Sequence, residues 1–126
     1  MLDHLVYAVP DLDDAVRDFE ARSGVRPTPG GRHPGRGTHN ALVALGPDRY
    51  LEIIAPDPTQ PAPAEPRAFG LDGLRAPRVA TWAAKALDLD ARVERARAAG
   101  YDPGSVVAMS RERPDGVRLD WRLELH

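Results

Sequence analysis

Met1-Leu2-Asp3-His4-Leu5-Val6-Tyr7-Ala8-Val9, running into Pro10-Asp11-Leu12-Asp13, reads as a strand followed by a helix start. Side chains alternate along an extended chain, so Leu5, Tyr7 and Val9 share one side and His4, Val6 and Ala8 the other. A histidine is thereby aimed with two small apolar residues at whatever the sheet encloses. Its expected partner is Glu52, in a second strand of similar character, Tyr50-Leu51-Glu52-Ile53-Ile54-Ala55.

Working outward, Asp11 is a helix N-cap, and Asp13 and Asp14 complement the positive helix start. Leu12, Ala15, Val16 and Phe19 form one apolar stripe, and Gly24 is a natural stop. The spacing predicts a helix from Leu12 to Ser23 lying on the sheet. Val25 to Thr38 is rich in Gly and Pro. It predicts a short edge strand near Val25 to Pro29 and then a loop. Asn40 to Leu45 and Tyr50 to Ala55 read as a hairpin across Gly46-Pro47-Asp48. The first half is therefore β-α-β-β-β.

Prolines 56, 58, 61, 63, 66 and 77 then punctuate the chain. The part up to Pro66 reads as an extended linker of polyproline character. Phe69 and Leu71 are apolar enough to plug the end of a core. Beyond Pro77 the chain begins again. Val79 to Ala84 is a strand, and Asp88-Leu89-Asp90 repeats Asp11-Leu12-Asp13 at an offset of about 77 positions, while Gly100 follows Gly24 by about 76, as in a diverged duplication. Leu89, Val93 and Ala96 form the second stripe. Ser105 to Arg111 and Val117 to Leu125 are two strands joined at Pro114-Asp115-Gly116. The fold class is α+β, with a first module over 1–58, a Pro-rich linker over 59–77 and a second over 78–126. The second module lacks the last strand of the first. That leaves Val117 to Leu125 as a sheet edge, to be completed by a strand beyond this sequence or by a second subunit, as in a homodimer.

Composition narrows the function. The 126 residues carry a net charge of −2 with no basic run, which gives no electrostatic reason to expect nucleic acid. Sixteen of the 17 basic residues are arginine, an imbalance that reads as codon usage. There is no cysteine, which excludes thiolate metal sites, disulfides and thiol nucleophiles. No signal-peptide pattern opens the sequence and no apolar run reaches the roughly 20 residues of a membrane span. A cytoplasmic location is expected.

A paired β-α-β-β-β unit resembles the vicinal oxygen chelate superfamily of glyoxalases, extradiol dioxygenases, epimerases and bleomycin-type resistance proteins. Three segments carry the likeness to its glyoxalase-like branch: Asp3 to Leu12, Gly30 to Leu42 and Tyr50 to Pro56. The resemblance implies two modules with curved mixed sheets closing a cup around a small organic molecule. It also implies a divalent metal, held by a residue on the first strand and one on the fourth strand of each module. Carried over, these are His4 and Glu52. Thr81 stands where the second module would repeat His4, and the position matching Glu52 falls on the absent strand.

Two readings therefore stand for each candidate. His4 is a ligand for zinc, iron, nickel or manganese, or a hydrogen-bonded imidazole lining a pocket. Glu52, flanked by Leu51, Ile53 and Ile54, is a ligand or catalytic base if it faces the cavity, and an outward ion pair if it does not. His33, His39 and Asn40 belong to a Gly-rich segment that caps the cavity and contacts substrate, or that is simply surface. Trp82, Met109, Trp121 and Tyr7 read as core, Arg111 and Arg113 as solvent-facing. Arg122 binds an anionic substrate if its strand face turns inward. The implied activity is that of a metal-dependent lyase, isomerase or dioxygenase. Its rival is a metal-free module that binds or sequesters a small molecule.

Overall fold

The computed structural model describes residues 1–125. Seven strands form one curled half-barrel sheet: β1 (Leu2–Ala8), β2 (Thr28–His33), β3 (Thr38–Ala44), β4 (Tyr50–Pro56), β5 (Arg78–Ala84), β6 (Ser105–Glu112) and β7 (Arg118–Leu125). Their spatial order is β5-β1-β4-β3-β2-β6-β7. Among the described residues only β1 and β4 pair in parallel, with His4 opposite Tyr50 and Val6 opposite Glu52. The first half fills the centre of the sheet. The second half is split, with β5 on one flank and the β6–β7 hairpin on the other. Among the described residues no helix is long and apolar enough to cross a membrane.

Helix α1 (Leu12–Ser23) begins where Asp11 accepts a 2.9 Å hydrogen bond from the Asp14 amide. It ends at Gly24, in the left-handed region at φ 75°. It covers the convex face of the sheet, where Val9, Ala15, Val43, Ile53 and Ala55 are buried against Leu12 and Phe19. A shorter helix α2 (Leu89–Ala98) is capped by Asp88 in the same manner.

The concave face carries the opposite parity. Val6, Ala8 and Ile54 are buried there under Leu71, with Phe69 and Leu74 beside it. Leu71 belongs to a 3-10 segment, Ala68–Gly73, that folds across one end of the cup. The plug expected from Phe69 and Leu71 is therefore in place. The segment leading to it is no free tether. The Asp57 amide bonds the Gly37 carbonyl at 2.8 Å, and Arg67 Nε donates to the same carbonyl at 2.7 Å.

Two expectations need correction. The strand anticipated near Val25 to Pro29 lies further on, at Thr28–His33, and turns at once into β3 with no long loop. Nor is it an edge, because β6 pairs with it at Arg32 opposite Glu112. Glycine makes that junction possible. A Cβ on Gly31 would sit 1.9 Å from the Glu112 carbonyl oxygen, and φ there is 146°.

Candidate functional site

Four strands aim polar side chains at one place on the concave face. His4 comes from β1 and Glu52 from β4, each two residues along its strand from a buried apolar side chain, Val6 or Ile54. Asn40 lies on β3 opposite Ile54, and His33 ends β2 opposite Thr38. The alternation of β1 thus delivers its histidine inward, beside the glutamate expected as its partner.

Glu52 is the centre of the cluster. Its Oε1 lies 3.6 Å from His4 Nε2, and its Oε2 lies 3.7 Å from His33 Nε2. Asn40 Nδ2 donates to Oε2 at 2.6 Å. The same amide lies 3.4 Å from His33 Nε2, and His33 Nδ1 is 2.8 Å from Thr38 Oγ1. One protonation pattern satisfies the hydrogen bonds that link Asn40, His33 and Thr38. His33 is neutral with its proton on Nδ1, donating to Thr38, and its Nε2 accepts the second amide hydrogen of Asn40. Burial agrees, since it holds the His33 imidazole below its ordinary pKa although Glu52 pulls the other way.

His4 is fixed from behind. Asp3 Oδ2 accepts from its Nδ1 at 2.7 Å, and the ring stacks on Tyr50 with centroids 4.6 Å apart. Burial works against the Asp3 carboxylate, but the bonds from His4 and from Lys85 outweigh it and its pKa is lowered. Burial, with Glu52 next, pushes the Tyr50 hydroxyl well up. The result is an imidazole held in plane with Nε2 turned to Glu52.

Gly30 completes the pocket floor. A Cβ there would lie 2.0 Å from Asn40 Oδ1, so any side chain would evict the carboxamide that holds Glu52. The expected close approach at Gly30 and Gly31 is therefore to Asn40 and to β6.

The remaining candidates lie elsewhere. His39 has the opposite strand parity to Asn40 and lines a cavity of about 500 Å³ with Leu12, Val16, Arg32 and Arg113, which Asn40 also borders. Arg122 points outward and clasps Asp90 of α2 at 2.7 and 3.2 Å, so the inward turn that would let it meet an anion in the cup does not occur. Trp82, expected in the core, is 65% exposed. Trp121 meets the edge of His33 at 6.4 Å. Sequence reasoning missed Asp3, Tyr50 and Arg111. Arg111 was expected in solvent, but its Nε is buried and its charge acts on His33 and Tyr50. Its signal was available, since Val107, Met109 and Arg111 alternate along one strand face.

For a divalent metal, His4 Nε2 and Glu52 Oε1 present two donors. His33 does not add a third, because Thr38 and Asn40 engage both of its nitrogens. Among the described residues no group of three or more His, Asp or Glu side chains is disposed to hold a metal ion. Catalytic metal sites ordinarily take three protein ligands. The donor set as arranged does not fit one.

Comparison with known proteins follows the same lines. A family model described as a glyoxalase-like domain matches residues 2–125. No curated protein sequence matches the chain. Among solved structures, the methylmalonyl-CoA epimerase of Mycobacterium tuberculosis is 26% identical, with a TM-score of 0.59 over 97% of this chain and 77% of that one. A methylmalonyl-CoA epimerase from Streptomyces coelicolor, a variant solved with 2-nitronate-propionyl-CoA, is 23% identical, with a TM-score of 0.59 over 97% of this chain and 92% of that one.

Proposed function

The chain belongs to the glyoxalase-like domain family, of the vicinal oxygen chelate superfamily, and on that premise we propose that it moves a proton on a small organic carbonyl compound held in the cup. The observation that carries the reading is Glu52, a carboxylate set between two imidazoles on a concave face. Glu52 Oε1 takes the proton from the carbon next to a carbonyl, and the electron pair shifts onto the carbonyl oxygen. Return of the proton on either carbon makes the reaction an isomerisation. Expulsion of a neighbouring group makes it a lyase reaction.

His4, oriented by Asp3, receives or returns the proton through Nε2. Asn40, held in turn by neutral His33, donates to the far oxygen of Glu52, so that Oε1 is the one presented. Leu71 and Phe69 exclude water at one end. That epimerases share the fold supports the reading, since epimerisation also removes and returns a proton. No step is routed through a metal, because among the described residues only His4 and Glu52 offer donors in the cluster. Stoichiometric metal in untagged protein, lost in His4→Ala, would replace this scheme with the metal-assisted one.

The test is deuterium uptake from D2O at the carbon beside the carbonyl, across a panel of 2-oxo acids and acyl thioesters. We expect uptake with the wild type and a loss of about 100-fold or more in Glu52→Gln. A second reading, a module that binds without reacting, is favoured by one observation. Thr81, at the place matching His4, is exposed, so the second half repeats no imidazole there. Ligand-induced stabilisation without exchange would establish it. A homodimer through the 117–125 edge belongs to the same proposal, supported by the position of β7 as an outermost strand. Sedimentation showing a monomer at micromolar concentration would remove it.

A further inference from the structure

Of the arginines near or on the β6–β7 hairpin, three have acidic partners. Arg113 pairs with Asp115, Arg118 with Asp120 and Arg122 with Asp90. Arg111 differs. Its Nε is buried without a hydrogen-bond partner, and no ion pair reaches its guanidinium among the described residues. Its position is set by backbone register. Met109 faces Trp121 and Arg111 faces Leu119, so Arg111 shares a hairpin face with Trp121, whose ring meets His33. Its stem runs over Gly31, where a Cβ would come within 3.1 Å of Arg111 Cγ. The lack of a side chain at Gly31 therefore lets the guanidinium reach the rim of the Glu52 cluster.

A half-buried guanidinium without a counter-charge is unfavourable unless an anion completes it. Nε is buried, so an incoming carboxylate meets the two terminal nitrogens, the end-on fork that takes it through two parallel hydrogen bonds. We propose that Arg111 is the carboxylate-binding residue of the cup, so that the ligand is a small carbonyl compound bearing a carboxylate. The inference rests on the reading of the concave face as the ligand site, and it deepens that reading by naming the substrate class. Arg111 supplies binding and orientation, and Glu52 supplies the base.

The experiment titrates the full chain with pyruvate, malonate, pyruvamide and inorganic phosphate, following the Arg111 Nε–H resonance and the dissociation constant. Pyruvate and malonate should shift that resonance, and pyruvamide should bind at least about tenfold more weakly. Arg111→Gln should weaken the two acids by about tenfold or more. Arg111→Lys, which keeps the charge and guards against a folding defect, should fall between. Glu52→Gln should still bind the acids. Equal binding of pyruvamide and pyruvate, unchanged binding by Arg111→Gln, tighter binding of phosphate than of either acid, or no binding of any acid would each overturn the assignment. Acid binding without deuterium uptake would sink the proton-transfer reading and leave this one standing. Uptake indifferent to substrate charge would do the reverse.

Discussion

Residues 1–57 and residues 78–125 have strand and helix units in the same order, yet they bury very different amounts. The first stretch contributes Val6, Ala8, Val9, Ala15, Ala41, Val43, Ile53, Ile54 and Ala55 to the interior. Among the described residues the second contributes Val93 and Pro103, and leaves Val79, Trp82, Leu87 and Tyr101 more than half exposed. The topology explains the contrast. The first stretch holds four adjacent strands with a helix across them, so both sheet faces are covered. The second is divided between two flanks, and neither flank has a full set of neighbours. Stability and the polar cluster therefore both reside in the first stretch, while the second closes the rim and brings Trp121 and Arg111 to it.

The largest effect that tests this contrast is a paired truncation. Ile53→Ala, at a fully buried site, should cost about 2–5 kcal/mol in denaturant unfolding. Trp82→Ala, at a site 65% exposed, should stay within about 0.5 kcal/mol despite removing the larger side chain. Similar costs at both positions would show that the second stretch is packed as tightly as the first.

A smaller effect lies at the seam. Gly31→Ala forces a Cβ onto the Glu112 carbonyl and should cost about 1–3 kcal/mol. Limited proteolysis should then cut between β6 and β7 while β1 to β4 stay protected. Uniform protection would mean that the single Arg32–Glu112 pairing does not hold the hairpin in place.

The smallest is a pH dependence within the first stretch. Burial works against the Asp57 carboxylate, but donors from Gln60 and Thr59 outweigh it and lower its pKa. Unfolded, it titrates near about 3.9. The stabilisation is complete above that value and is lost as pH falls through the lower folded value. The wild type should therefore lose stability below about pH 4, and Asp57→Asn should show a shallower slope there. Identical slopes would remove Asp57 from the acid response.

What the sequence made legible follows the same division. Alternation in β1 and β4 revealed which residues share a face, and helical spacing placed α1 from Leu12 to Ser23, because period is a local property. Strand partners are not local. Nothing in the spacing of Val79 to Ala84 or Ser105 to Arg111 says that they flank opposite edges of one sheet. Trp82 was misread for that reason, since an apolar residue reads as core whether or not anything covers it. His39 and Asn40 were grouped by their nearness in the chain, although adjacent residues on a strand face opposite ways. Arg111 was passed over because charge alone suggested solvent, when its parity with Val107 and Met109 pointed inward.

The convergence on Glu52 can be observed without knowing any substrate. Nitrogen-15 spectra of the histidine rings, compared between wild type and Glu52→Gln, report on the side chains touching that carboxylate. We expect the Nε2 resonances of both His4 and His33 to move while those of His39 stay in place. Movement of neither ring, or of His39 with them, would contradict the site.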